Sequence, residues 1–317
     1  MAPDPPATTA DPEGVPAWRV TAALAIVYVV WGSTYLAIRV MVADLPPLLS
    51  AGIRFVVAGA ILFLVLALRA GVRRFAVPLR ELLGASAIGI ALLAAGNGGI
   101  SAAEQHVPSS LAALVAASIP LWVVVFRALA KERVTRGTLG GVALGFVGVA
   151  LLAAQGERGS ANPSAALLLV VACVCWSVGT FASGRIPMPR DPFVSTAVEM
   201  LVGGIVLLAI AVLTGQDALP IHVQMRSWLA LGYLVVFGSL LGFTAYTWLL
   251  AHAPVSQVAT YAYVNPVIAL VLGWALLSEP LTPFLLGGAV LVLGAVVLVI
   301  RHEARLVPAT LAAEEGG

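Results

Sequence analysis

SAGIRFVVAGAILF, residues 50–63, carries one charge, Arg54, among apolar and small residues. Its apolar positions do not alternate with polar ones, which excludes a strand of an outer-membrane barrel. It lies in a longer apolar run, 47–69, long enough to cross a bilayer core as a helix, which takes about 20 residues. A second stretch, STAVEMLVGGIVLL at 195–208, repeats it at an offset of 145. Ser50 then meets Ser195, Gly59 meets Gly204, and Arg54 meets Glu199.

The correspondence extends outward. The same offset sets Trp31 of AIVYVVWGSTYLAI (25–38) against Trp176 of LVVACVCWSVGTFA (169–182). At an offset of 146, Pro108 meets Pro254 and Pro120 meets Pro266. Further on, ALAKERVT (128–135) meets ALLSEPLT (275–282), and Gly140-Gly141 meets Gly287-Gly288. The match thus runs through five consecutive apolar segments. Because five is odd, the second half must sit upside down relative to the first. Inverted repeats about an axis in the membrane plane are a transporter signature.

Composition supports the membrane reading. Of 317 residues, 61% are hydrophobic and only 10% are charged, where soluble domains carry about 25%. Mean hydropathy is +1.03. Ten apolar segments are expected to be helices: about 20–41, 47–69, 81–102, 108–129, 138–155, 164–184, 192–214, 227–250, 255–277 and 283–300. The expected fold is therefore an all-α membrane protein, with ten transmembrane helices in two inverted five-helix repeats, 20–155 and 164–300. Residues 1–17, Pro-rich and without the basic start of a signal peptide, read as a disordered tail. Residues 301–317 read as a C-terminal cytoplasmic tail. Net charge is +2, which gives no reason to expect a nucleic-acid partner. Lys131 is the sole lysine; with the abundance of alanine this is the pattern of a GC-rich bacterial genome. Cys173 and Cys175, two apart in an apolar run, read as packing residues.

Orientation follows from Lys and Arg in short loops. With the N-terminus inside, the cytoplasmic side holds thirteen: Arg19, Arg69, Arg73, Arg74, Arg80, Arg127, Lys131, Arg133, Arg136, Arg185, Arg190, Arg301 and Arg305. The other side holds three, Arg39, Arg158 and Arg226. Both termini are therefore expected in the cytoplasm.

VVWGSTYLAIRVMVADLPPLLSAGIRFVVAGAILF (29–63) resembles the start of EamA-type transporters of the drug/metabolite transporter superfamily. So do the paired signatures ALAKERVT with GGVALGFVGVALL (140–152), and ALLSEPLT with GGAVLVLGAVVLV (287–299). The resemblance covers about residues 20–300. It departs at Trp176-Ser177, where the first half has Trp-Gly. It implies ten helices in two EamA repeats, a bacterial inner-membrane location, and secondary export of amino acids, metabolites or drugs. It also implies a central cavity lined by helices one, three, four, six, eight and nine.

Ionisable groups at membrane depth are costly and so point to function. Arg54 and Glu199 are the two read there, as candidates for a charge or proton relay; the structural alternative is hydrogen bonding to backbone or hydroxyls. Each lies about seven residues, roughly 10 Å, inside its helix start. The starts are on opposite faces, so roughly 10 Å of a core about 30 Å thick separates them and a direct salt bridge is not implied. Polar residues four apart share a helix face: Gln257, Tyr261 and Asn265; Asn97, Ser101 and Gln105; Trp31 and Tyr35; Trp176 and Thr180. Tyr246 lies midway along helix eight. A polar face in a membrane helix points to protein or water, so these residues are candidates to line a substrate cavity. Packing between helices is the alternative. Pro120 and Pro266, at equivalent positions, are hinge candidates. Glu132 and Glu279, also equivalent, are expected to cap the N-terminus of the helix that follows each.

No metal-ligand spacing, hydrolase motif or Walker A loop occurs, so neither a metal, a cofactor nor ATP hydrolysis is expected. The partners expected are a small-molecule substrate, the lipid bilayer and, under one mode of coupling, protons, for a monomer or a homodimer. The alternatives to a secondary exporter are an intramembrane enzyme, for which no catalytic constellation is found, and a non-transporting sensor, which would bring a soluble output domain.

Overall fold

The computed structural model describes residues 16–132, 134–153 and 162–314. The expected N-terminal tail falls outside these, except for Pro16 and Ala17. The described residues form ten apolar helices: α1 (Ala17–Met41), α2 (Pro47–Ala70), α3 (Leu79–Ala103), α4 (Ser109–Leu129), α5 (Arg136–Ala153), α6 (Pro163–Ser183), α7 (Pro192–Leu213), α8 (Met225–Leu250), α9 (Tyr261–Leu277) and α10 (Pro283–Glu314). Eight contain enough apolar length to cross a membrane, and α5 and α9 are shorter apolar helices. The last helix does not stop where a tail was expected; it runs through Arg301 to Glu314. Prolines open α2, α6 and α7 in the first turn, where the missing N–H costs nothing.

Packing follows the repeat. α2 lies along α7, and α5 along α10. α1 packs on α8 and α9, while its mate α6 packs on α3 and α4. Every one of these contacts maps onto itself or another when the halves are exchanged, as an inverted repeat requires. Close approach of α2 and α7 depends on small residues. A Cβ added to Gly204 would stand 2.7 Å from the Val56 backbone nitrogen, and one added to Gly59 3.0 Å from that of Leu201. These two glycines are the pair matched in the sequence.

Two helices carry a feature that hydropathy does not signal. Within α3, residues Ile90–Asn97 wind as a π-helix, and within α8 so do Leu234–Leu241. Both are 8 residues long. They occupy equivalent positions in the two repeats. Such turns are uncommon and recur at functional sites, because the widened winding re-aims side chains.

The halves are not identical in conformation. α4 is interrupted at Ala117–Ser118, immediately before Ile119-Pro120. In the second half the interruption falls earlier, at Ala259–Thr260, between a single turn at Val255–Val258 and α9, and Pro266 lies inside a continuous helix.

Candidate functional site

The π-turns of α3 and α8 meet at Arg54. This guanidinium is buried, at 3% exposure. Its Nε donates to Ser239 Oγ at 3.0 Å, in the α8 turn. Its Nη1 lies 3.5 Å from Asn97 Oδ1, the last residue of the α3 turn. The guanidinium also sits 4.7 Å from the Phe55 ring centre. Among the described residues it makes no ion pair. Glu199, its partner in the repeat, is not in contact with it; that carboxylate accepts from Ser195 Oγ on its own helix at 2.7 Å.

The α8 π-turn that holds Arg54 also holds one ring of an aromatic cluster. Trp31 is 5.0 Å from Tyr246 and 5.3 Å from both Tyr261 and Phe243, centre to centre. Tyr246 and Tyr261 stand 5.7 Å apart and edge to face. Trp31 Nε1 donates to the Gly238 carbonyl at 3.2 Å. Adjacent residues of one π-turn, Gly238 and Ser239, therefore hold the indole and the guanidinium. All three of Trp31, Tyr246 and Tyr261 are half-buried. Two surface clefts lie at the helix ends, around Pro46 and Gln216 and around Pro78 and Asp191, away from this cluster.

The two tryptophans matched in the repeat play matching roles. Trp31 covers Gly242, where an added Cβ would lie 2.9 Å from Trp31 Cδ1. Trp176 covers Gly96, with the same 2.9 Å to its Cε3. Gly96 and Gly242 are themselves equivalent, each in or just beyond a π-turn, so each indole packs on the turn of the other half. Tyr35 packs with Trp176 and Tyr261 against a buried patch that includes Ala172, Cys173 and Ala262.

Other residues read from the sequence lie elsewhere. Ser101 and Asn265 are buried, and Ser101 Oγ and Asn265 Oδ1 have no hydrogen-bond partner among the described residues. Thr180 is exposed and donates to the Trp176 carbonyl of its own helix at 3.0 Å. Gln257 does not share a helix face with Tyr261 and Asn265, because the chain breaks between its short turn and α9. It is exposed, as is Gln105 beyond the end of α3.

Two acids alter the sequence reading. Glu104 lies beyond the 81–102 segment, yet it is fully buried, and neither carboxylate oxygen has a hydrogen-bond partner among the described residues. The Arg39 guanidinium turns to its backbone carbonyl instead. The second is Glu279, which does not cap the helix that follows. It reaches across to the first turn of α4, accepting from Ser109 N (2.7 Å), Ser109 Oγ (2.8 Å) and Ser110 N (3.0 Å).

At the opposite end, charges pair near the surface. Arg74 bridges to Asp191, which also caps α7 by accepting from Phe193 N at 3.0 Å. Burial pushes the Asp191 carboxyl up, but these hydrogen bonds outweigh it and hold the group below its ordinary value. Glu132 accepts from Arg127 at 2.9 Å and from Arg185. Those two hydrogen bonds hold its carboxyl below the usual range.

An all-helical bundle of two inverted repeats, with half-buried rings and a buried cation where the halves meet, defines a membrane transporter. The chain belongs to the EamA-like transporter family, whose model matches residues 19–154 and 163–301, one match per repeat. It is 39% identical over 82% of its length, and 83% of the relative's, to the uncharacterized inner membrane transporter YedA of Escherichia coli K12. A protein of Salmonella typhimurium named probable amino-acid metabolite efflux pump is 31% identical, over 84% of this chain and 90% of that one. A solved crystal structure shares the fold, with a TM-score of 0.62 over 88% of this chain and 96% of the other, at 21% identity.

Proposed function

We propose that this transporter is a secondary exporter of small zwitterionic or neutral metabolites with an apolar part, hydrophobic amino acids being the type case. The observation that carries the reading is that neighbouring residues of one π-turn, Gly238 and Ser239, hold the Trp31 indole of the aromatic cluster and the Arg54 guanidinium. A buried guanidinium that makes no direct ion pair among the described residues offers charge-assisted donors to a substrate carboxylate. The rings offer an apolar face and, through their π surfaces, a place for an ammonium group. The name of the Salmonella relative agrees with this substrate class. No catalytic role is assigned to any residue.

The protein works by alternating access, with the repeats exchanging conformations around the site. The different break points in α4 and before α9 support this, since the two halves of one sequence pattern occupy two shapes. Pro120 and Pro266 are the hinges, and the location is the plasma membrane of a bacterium. The Lys and Arg bias supports a cytoplasmic Glu132 end, with both termini on that side. The test is efflux from liposomes holding the purified protein, with amino acids, nucleosides and drugs offered, with and without a pH gradient. Transport of hydrophobic amino acids supports the reading; transport of multiply charged compounds alone overturns it.

A further inference from the structure

Glu132 and Glu279 are placed by the same backbone device. Each follows a residue in the left-handed region, Lys131 at φ 61° and Ser278 at φ 54°. Neither is a glycine, so each turn carries a conformational cost that the surrounding structure must hold. The device aims one carboxylate from the end of α4 and the other from the end of α9, at opposite ends of the bundle. Their side chains nevertheless do different things.

Glu279 belongs to the second repeat and is seated on the first turn of α4 in the first. It is buried, at 8% exposure, and takes three donors, two of them backbone amides. A carboxylate at a helix N-terminus is favoured by the dipole and by the unpaired amides there. Among the described residues Glu132 makes no such contact. It is held by Arg127 of its own helix and by Arg185 at the end of α6, in pairs whose side chains are 28–42% exposed. Exposed pairs of this kind are weak and readily exchanged. The sequence equivalents of Ser109 and Ser110 are Val255 and Ser256, which follow Pro254 as Ser109 follows Pro108.

We infer that Glu279 and Glu132 are the two alternating seals of the transport path. Glu279 holds its end shut in this structure by fastening the second repeat to α4. When the repeats exchange conformations, Glu279 leaves α4, and Glu132 leaves its arginines for the backbone amides after Pro254. The inference rests on alternating access but not on the substrate class.

The test needs no substrate. Both native cysteines are replaced by alanine and Ser101, fully buried near the Glu279 end, becomes the reporter Ser101→Cys. Reaction of detergent-solubilised full chain with a water-soluble maleimide then reports opening of that end. Glu279→Ala is expected to raise the labelling rate on the order of tenfold, the response of a two-state equilibrium that loses one buried charge-assisted contact set. Adding Glu132→Ala, which removes the opposing seal, is expected to bring the rate back toward the parent. If Glu279→Ala does not elute as a folded species, Glu279→Gln, which keeps an acceptor, should show a smaller rise of the same sign. An unchanged rate in a folded Glu279 variant, or a rise that Glu132→Ala leaves intact, overturns the inference. Failure of the amino-acid efflux assay with these labelling results would overturn the substrate reading alone.

Discussion

Arg54 Nε donates to Ser239 Oγ at 3.0 Å, across 185 residues of chain and from one repeat to the other. The bond joins the only charge of the stretch that reveals the repeat to the π-turn of α8. Removing its acceptor leaves the Nε–H of a buried guanidinium without a partner among the described residues, while Nη1 keeps Asn97. Ser239→Ala should therefore cost about 1–3 kcal/mol of stability, read as a lower thermal midpoint in detergent, and weaken substrate affinity through a displaced guanidinium. Ser239→Thr, which keeps the hydroxyl, should retain more of both.

Gly242 and Gly96 leave room for the two indoles. Gly242→Ala would place a Cβ 2.9 Å from Trp31 Cδ1. Overpacking of this kind costs about 1–3 kcal/mol, and relief comes by turning Trp31 away from Tyr246 and Tyr261. Transport should fall further than stability does. Gly96→Ala should press Trp176 in the same way. Intrinsic tryptophan emission, followed with transport and the thermal midpoint, checks both.

The α2–α7 contact should be intolerant of bulk. Gly204→Val sets a branched side chain against the Val56 backbone, 2.7 Å from where its Cβ would stand. Backbone cannot yield as a flexible side chain can, so the variant should give little folded protein by size exclusion. Gly215→Val lies in a loop with nothing within 4 Å of an added Cβ, but at φ 70°. It should fold, with a modest loss from the left-handed backbone alone.

Much of this was legible in the sequence, and what was not has a physical reason. The repeat, the ten helices and the Arg54–Glu199 correspondence follow from hydropathy and spacing, because lipid admits few alternatives to a helix with internally satisfied backbone. The π-turns were hidden, since Ile90–Asn97 and Leu234–Leu241 are as apolar as any helix and only backbone winding distinguishes them. Ser239 was hidden with them. A stripe of residues four apart assumes one unbroken helix, and so Gln257 was placed on a face that the break at Ala259–Thr260 removes. Glu104 falls just beyond the 81–102 segment, and sequence gives the edge of a helix but not what packs over it. Glu279 was assigned to the nearer helix in sequence, whereas the inverted topology brings α4 alongside.

Acid should loosen the end that carries Glu132. The Asp191 and Glu132 carboxyls are held below their ordinary values, by hydrogen bonds from Arg74 and Phe193 N and from Arg127 and Arg185 respectively. A depressed carboxylate stabilises the fold fully above its unfolded pKa, about 4, and that contribution is lost as pH falls through the folded value. The thermal midpoint should be flat from about pH 7 to 5 and decline below. Arg74→Gln removes the main partner of Asp191 and should lower the neutral-pH plateau slightly while making the acid decline shallower. An unchanged profile in that variant would remove Asp191 from the account.

The proposed substrate site is Arg54 with the rings of Trp31, Tyr246 and Tyr261. Counterflow of a labelled hydrophobic amino acid into liposomes loaded with the unlabelled compound, comparing the native protein with Arg54→Gln, is the decisive measurement. Rapid exchange by the native protein is expected, with at least about a tenfold loss of apparent affinity in the variant, the scale of one charge-assisted contact, and with competition by the matching amino amide abolished in neither. Exchange restricted to multiply charged compounds, or exchange of the amino acid that Arg54→Gln leaves unaltered in a folded protein, would contradict it.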